Sequence, residues 1–282
     1  MVRSLLLLLG LLVAFVSHAA GPGAVRKTIE ASMRTTGEIV VTHEGKVASY
    51  ILDQADIMPK EARQLLERFI ARAEFEVQNP SGKPGSTTLK MSAQLLAQPK
   101  PEGGMVMRVA DTYFYPANKG SSPAAEDGIS SLQMKPPSYP TRAAAARVSG
   151  TVYMVLRINS DGSVGEAHAE RVDMRVIAGE RELELWREML AKSALAASKR
   201  WTFALTPERL AMPGNINVRV PIADVVPERD ELAKDGQWEA YVPGYYHPVP
   251  WEKNIAEEGI GAMVPGQLYP VGGGIRMRNA DI

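Results

Sequence analysis

The sequence predicts an α+β fold made of two ββαβ units, each a small antiparallel sheet with one helix, and an irregular tail. Between residues 136 and 226, two apolar segments, an amphipathic helix and a closing apolar segment follow one another. Residues 25–116 repeat much of that order, and residues 227–282 are rich in glycine and proline. Strands mixed with single helices and short turns are typical of α+β domains.

The better-defined unit spans residues 136–226. Apolar, β-branched residues predict a strand from Gly150 to Ile158, and Asp161-Gly162 supplies the positive φ of a tight hairpin turn. A second strand is expected from Val164 to Val172, and the closing strand is expected around residues 217–222. Between them, apolar residues recur at helical spacing. This helical stripe consists of Leu190, Ala194, Ala197 and Trp201.

Residues 25–116 resemble a divergent copy of that unit. The first helical stripe, followed by Phe75, precedes its later counterpart and Phe203 by a constant 128 positions. This first stripe consists of Ala62, Leu66, Phe69 and Ala73. Thr36-Gly37 aligns with Ser149-Gly150, and Glu44-Gly45 aligns with Asp161-Gly162. The constant offset favours a duplication, and the alternative is that two unrelated α+β units share a common pattern.

The remaining segments are predicted to connect or cover these units. Residues 117–135 contain Gly-Ser-Ser-Pro and are expected to be an inter-domain linker. Residues 227–282 hold 14 of the 44 glycines and prolines of the chain, together with scattered aromatic residues. We expect an extended tail that packs on the domain surface. The alternative is a ligand groove with Tyr245, Tyr246 and His247 at its lip.

Residues 1–20 have the pattern of a secretory signal peptide. Arg3 precedes a twelve-residue apolar core from Leu5 to Val16, and small residues follow at Ala19 and Ala20. A membrane span needs about 20 apolar residues, so cleavage is favoured over a retained anchor. The sequence therefore predicts a mature protein in the periplasm.

The composition excludes several kinds of chemistry. The chain has no cysteine, and its 32 basic residues balance its 32 acidic residues, which gives no electrostatic reason to expect nucleic acid. Glu184 and Glu188 lie on one helical face, but without a nearby histidine they are expected to be solvated. No nucleophile elbow, phosphate loop or zinc motif occurs. We therefore expect no catalytic residues, no cofactor, no metal and no enzyme activity.

Four pieces of residues 136–226 resemble, in order, the C-terminal domain of TonB, the periplasmic energy transducer of Gram-negative bacteria. The similarity covers roughly ninety residues, about a third of the chain. The matching pieces are Pro137-Ser-Tyr139-Pro140-Thr-Arg-Ala143, Ser149-Gly150-Thr-Val, Asp161-Gly162-Ser-Val164 and Lys199-Arg-Trp201-Thr-Phe203.

The resemblance implies a domain that binds an extended peptide of an outer-membrane transporter by strand addition and serves energy-dependent transmembrane transport. Strand addition uses the unpaired N–H and C=O groups of a sheet edge. By resemblance, the peptide-binding residues are Tyr139, Pro140, Val218, Arg219, Val220 and Ile222. Pro221 weakens this site if its missing N–H would have faced the peptide.

The resemblance leaves two functions open, because a cleaved protein cannot transmit force from an inner-membrane motor. A motor complex is an expected partner only if the leader is retained as an anchor. The alternative is a soluble periplasmic adaptor or scaffold that binds other periplasmic proteins without energy transduction.

Overall fold

The computed structural model describes residues 29–76, 85–100, 103–117, 122–224, 235–252 and 259–279. The predicted signal peptide lies outside these ranges. The described chain is mixed α+β, with mostly antiparallel sheets and few helices, so the predicted fold class is confirmed at this level.

The described elements alternate between hairpins and single helices. The strands are β1 (Glu30–Thr42), β2 (Val47–Leu52), β3 (Ser86–Pro99), β4 (Met105–Pro116), β5 (Ile129–Gln133), β6 (Gly150–Ile158), β7 (Val164–Met174), β8 (Thr202–Leu205), β9 (Ile216–Asp224), β10 (Glu239–Tyr241) and β11 (Tyr269–Pro270). The helices are α1 (Lys60–Arg72), α2 (Pro123–Glu126), α3 (Thr141–Ala145), α4 (Glu180–Ser198) and α5 (Pro207–Ala211), with a 3-10 turn at Ile260–Ala262.

Two antiparallel sheets form the framework. In the first sheet, β3 pairs with one side of β1 along its whole length. The other side of β1 pairs with β10 near its N-terminal end and with β2 near its C-terminal end. Strand β4 extends that sheet beyond β3. The second sheet has the order β11-β9-β6-β7. The central strands β2-β1-β3 and β7-β6-β9 therefore have the same order in the two sheets.

One helix packs against each sheet through the predicted stripe. The side chains of both stripes are buried because alternating strand residues and residues three or four apart on a helix meet in one core. All residues of the two predicted stripes are buried, and the helical ones are Ala62, Leu66, Phe69, Leu190, Ala194 and Ala197. Ala73 and Trp201 are buried just beyond the C-terminal ends of α1 and α4.

The two first hairpins share a close contact with the segment that follows each helix. The Phe75 N–H donates to the Gly45 carbonyl at 2.8 Å, and the Phe203 N–H donates to the Gly162 carbonyl at 2.9 Å. Both glycines have positive φ, at 89° and 82°. Glycine is required there because an added Cβ would lie 2.3 Å or 2.0 Å from the facing phenylalanine carbonyl oxygen.

The strand register corrects the proposed alignment of Gly37 with Gly150. Gly37 pairs with Met91, whereas Gly150 pairs with Asp224 and Met154 pairs with Val220. Val220 lies 129 positions after Met91, the same offset that separates Pro84-Gly85 from Pro213-Gly214. Gly37 therefore corresponds in register to Met154. The hairpin of the second sheet is longer, and this shifts the alignment of its first strand.

The predicted linker and tail contribute strands. Within the predicted linker, β5 pairs β8 in a two-stranded sheet. Within the tail, β10 pairs β1 and β11 pairs β9. The tail therefore adds strands at edges that the hairpins alone leave open.

Trp201→Ala is expected to destabilise the protein by about 3–5 kcal/mol, because it empties an aromatic core position. The Trp201 side chain is 2% exposed in a cluster that includes Val152 and Met154. Chemical denaturation measures the change. Leu132→Ala is the matched control, since Leu132 is 70% exposed and its loss should change stability by less than about 0.5 kcal/mol. Equal effects of the two substitutions would contradict the core assignment.

Gly162→Ala is expected to cost more than Gly214→Ala. Both glycines have positive φ, but an added Cβ at Gly214 has nothing within 4 Å. Gly214→Ala should therefore cost about 1 kcal/mol from backbone strain alone, and Gly162→Ala about 3 kcal/mol or more. Thermal unfolding of both variants tests this. Similar losses would show that the contact with Phe203 is easily relieved.

Candidate peptide-binding edge

Strand β9 carries four of the six predicted site residues, but their side chains are buried. Val218, Val220 and Ile222 are at most 8% exposed and belong to the core under α4. Alternation places Asn217, Arg219 and Pro221 on the opposite face of the sheet. A peptide added to this strand would therefore be held through the β9 backbone.

Arg219 forms a buried ion pair with Glu170. The guanidinium Nε and Nη2 atoms donate to the two carboxylate oxygens at 2.6 Å and 2.9 Å. The Arg219 and Glu170 side chains are 4% and 0% exposed. The tail covers the pair, since the His247 N–H donates to the Glu170 carbonyl at 2.7 Å. Arg219 therefore links β9 to β7 across the central strand β6.

The outer edge of β9 is occupied by the tail of the same chain. Tyr269 pairs with Arg219 and Pro270 pairs with Val218 in antiparallel register. On either side, the Val271 N–H donates to the Asn217 carbonyl at 3.0 Å and the Gly266 N–H donates to the Pro221 carbonyl at 2.8 Å. The segment from Gly266 to Val271 thus lies where a bound peptide is expected.

Pro221 removes one donor from this outer edge. Its carbonyl accepts the bond from the tail, so the N–H of an ordinary residue at this position would share that edge. The N–H that Pro221 lacks would therefore have faced the peptide, which weakens the strand-addition site at this position. A partner strand obtains a carbonyl acceptor there but no N–H donor.

Tyr269 anchors the tail at the β9 edge. Its side chain is 1% exposed and packs edge-on against Tyr113, with ring centroids 4.9 Å apart. Its hydroxyl accepts from the Val264 N–H at 2.8 Å and donates to the Gln267 side-chain oxygen at 3.2 Å. Burial raises the pKa of Tyr269, so the hydroxyl keeps its proton at neutral pH.

Tyr139 and Pro140 have structural contacts on the helix side of the second sheet. The Tyr139 hydroxyl donates to the Val148 carbonyl, and Pro140 is the residue before the first turn of α3. The neighbouring backbone is tied to α4, because Ser193 Oγ donates to the Ser138 carbonyl at 2.6 Å. These contacts hold both residues against the segment that directly precedes β6.

A buried polar network holds the tail against β7. Asp173 accepts from the Gly244 N–H at 3.0 Å and forms an ion pair with Arg171 at 3.1 Å. Burial raises the pKa of Asp173, and the Arg171 guanidinium opposes that rise. Burial, together with the Asp173 charge, raises the pKa of Tyr153 to about 12. This network attaches the tail to the outer side of β7.

A groove of about 590 Å³ lies between α4, β7 and the tail. Tyr245 and His247 line it, as proposed for a tail that forms a lip, and Glu184 and Glu188 lie on its helix side. Arg187 crosses its floor and donates to the carbonyls of Val172 and Pro243 at 3.2 Å and 3.0 Å. A groove with Tyr245, Tyr246 and His247 at its lip was the alternative to a packed tail, and no feature of the sequence indicated that Arg187 ties the tail to α4.

Neither a metal-binding cluster nor a membrane-spanning helix occurs among the described residues. No group of three or more His, Asp or Glu side chains in these ranges is arranged to hold a metal ion. No helix in the described part of the chain is both long and apolar enough to cross a membrane.

Comparisons with known proteins relate part of the chain to a solved structure. No protein-family model and no curated protein matches the chain. A solution NMR structure of the Pseudomonas aeruginosa TonB C-terminal domain is similar to part of it, with 22% identity and a TM-score of 0.27. The similarity covers 36% of this chain and 91% of that one. A score this low decides neither the fold nor the function.

Arg219→Met is expected to destabilise the protein by about 3–5 kcal/mol, because it leaves the Glu170 carboxylate buried without its partner. Replacing both residues, as Arg219→Met with Glu170→Leu, should cost less than Arg219→Met alone. Denaturant titration gives both values. Lys90→Met is the control, because the Lys90–Glu38 pair is exposed and should contribute less than about 1 kcal/mol. An equal effect of Lys90→Met would contradict a special role for burial.

Proposed function

We propose that this chain is a TonB-like periplasmic binding protein that takes up an extended peptide by strand addition at β9. The observation that supports this function is the pairing of Tyr269–Pro270 with Arg219 and Val218. The β9 edge already accepts an extended segment in antiparallel register. A peptide of a partner protein would form the same backbone hydrogen bonds after the tail segment has left.

The backbone of β9 determines what such a peptide must offer. Asn217 and Pro221 accept hydrogen bonds from the tail at their carbonyl oxygens, so the peptide needs N–H groups at the two matching positions. Opposite the missing N–H of Pro221 a carbonyl of the peptide has no donor, so a turn or a solvent-facing carbonyl is tolerated at that point of the peptide. The proposed function is binding without catalysis.

The proposed partner is the periplasmic segment of an outer-membrane transporter, and the proposed role is in energy-dependent transport. This part of the proposal rests on the sequence resemblance of residues 136–226, together with a periplasmic location. It includes an inner-membrane motor as a partner only if residues 1–20 are retained as an anchor.

The second candidate is a periplasmic adaptor or scaffold without energy transduction. The burial of Tyr269 favours it, because a side chain that is 1% exposed and bonded through its hydroxyl resists displacement. In this function the tail completes the second sheet permanently, and partner proteins bind elsewhere on the surface.

A duplicated ββαβ unit is the proposed origin of the two sheets. It is supported by the shared strand order and by the matching contacts of Gly45 with Phe75 and of Gly162 with Phe203. Superposition of the two units, guided by this register, measures how closely they agree.

Loosening the tail is expected to expose the binding edge. Tyr269→Ala removes the buried anchor, and the probe is a synthetic peptide with the sequence of residues 264–271, blocked at both ends. Isothermal titration calorimetry should detect binding of this peptide to the variant and none to the wild-type chain. Tyr245→Ala is the control, because Tyr245 is 70% exposed and does not pair with β9.

The outcomes separate the two candidates. Peptides from the periplasmic segments of outer-membrane transporters should compete with the tail peptide if the edge serves transport. Tail-peptide binding without such competition would favour the adaptor. If the folded Tyr269→Ala variant does not bind the tail peptide, β9 is not a site of strand addition.

A further inference from the structure

The tail segment on β9, residues 266–271, also shows which side chains the edge of this strand accepts. Tyr269 pairs with Arg219 in antiparallel register, and the pairing continues at the next residue. Successive residues of a strand point to opposite faces of a sheet. The side chains of the segment therefore enter two separate surroundings, and each of these surroundings selects for a particular kind of residue.

Leu268 enters the core of the second sheet. It is 4% exposed and belongs to the apolar cluster that contains Val220 of β9 and Leu190 of α4. Its backbone is held from the other side, because the Ala124 N–H of α2 donates to the Leu268 carbonyl at 3.1 Å. A polar side chain here would lose its hydrogen bonds to water inside an apolar core. This position therefore requires an apolar residue.

Tyr269 enters an aromatic pocket on the opposite face. Its neighbours there form one small apolar cluster with it, and they are Tyr113, Ala262 and Met263. The Tyr113 and Tyr269 rings meet edge to face, an arrangement that stabilises aromatic pairs beyond the burial of their surface. This position therefore requires an aromatic residue.

The walls of the aromatic pocket are attached to the first sheet rather than to β9. Tyr113 belongs to β4, and the Gly261 N–H donates to the Asp111 carboxylate of the same strand at 3.1 Å. The Ser92 hydroxyl of β3 donates to the Ala262 carbonyl. Because these bonds do not involve the tail segment, the pocket stays in place when the segment leaves.

Val271 continues the pattern on the face that Tyr269 occupies. It packs against the apolar cluster of Val155 and Val249, and its N–H faces β9. The N–H of the preceding position then points away from β9, so Pro270 costs the strand pair no hydrogen bond. The residue between the aromatic position and Val271 is therefore free to be proline.

We propose that the β9 edge selects peptides in which an apolar residue is followed by an aromatic residue and, two positions later, by a β-branched residue. This inference rests on the proposed function, since it specifies the ligand of the same site. In the chain itself the pattern is Leu-Tyr-Pro-Val at residues 268–271. A partner segment with this pattern fills both surroundings and keeps the backbone hydrogen bonds of the tail.

Calorimetric titration of the Tyr269→Ala chain with blocked peptides tests the pattern. The reference peptide has the sequence of residues 264–271. Peptides that carry Leu268→Ser or Tyr269→Ser should bind about tenfold more weakly or worse, because each loses a buried side chain but no backbone hydrogen bond. Val264→Ser is the matched control, since Val264 is half-buried and contributes its backbone N–H to the tyrosine hydroxyl. This control peptide should bind as tightly as the reference.

The outcomes separate the pattern from the site. Equal affinities of the reference and both serine peptides would overturn the pattern and leave strand addition at β9 in place. No binding by any peptide would overturn the proposed function and the pattern together.

The same substitutions in the full chain give a second measurement that needs no added peptide. Leu268→Ser should raise the hydrogen-exchange rate of the Val271 amide by about tenfold or more, because the segment then opens more often. Val264→Ser should leave that rate unchanged. An unchanged rate in Leu268→Ser would overturn the requirement for an apolar residue at this position.

Discussion

The second sheet depends on the hydrogen bonds that the tail makes to β9. The Gly266 and Val271 N–H groups donate to carbonyls two residues on either side of Arg219, and Tyr269 fixes the segment between them. The same tail covers the other face of the sheet, where Glu170 and Arg219 are paired away from water. A buried ion pair is stable only when the other lone pairs and protons of the two charged groups also have hydrogen-bond partners. The tail supplies one of these partners, because the Tyr246 hydroxyl donates to Glu170 Oε1 at 3.4 Å.

This arrangement links the fold to its proposed function. A sheet edge that holds its own tail in antiparallel register has the geometry for a peptide, but any peptide must first replace Tyr269 and its contacts. Binding therefore includes the free energy of releasing the tail, which lowers the apparent affinity and favours partners that make the same bonds.

The two long helices, the first hairpin of each sheet and the mixed α+β class could be predicted because their signals are local. Helical spacing of Leu190, Ala194 and Ala197 identifies a buried face, and Asp161-Gly162 identifies a turn. Strand β11 could not be predicted, because two residues have no periodicity and their pairing depends on a strand about fifty positions earlier. Arg219 was expected to contact a peptide because of the family resemblance. Its partner Glu170 sits at a bulge in β7, which sequence alternation does not reveal.

Residue-resolved hydrogen exchange of the Gly266 and Val271 amides tests the central claim most directly. In the free chain both amides should exchange far more slowly than the Gly214 amide, because their hydrogens are bonded to β9 carbonyls. When a peptide that competes for the edge is added, protection at these two amides should fall while the β6–β7 ladder stays protected. Rapid exchange of both amides in the free chain would contradict the account, since the tail would then not hold the β9 edge.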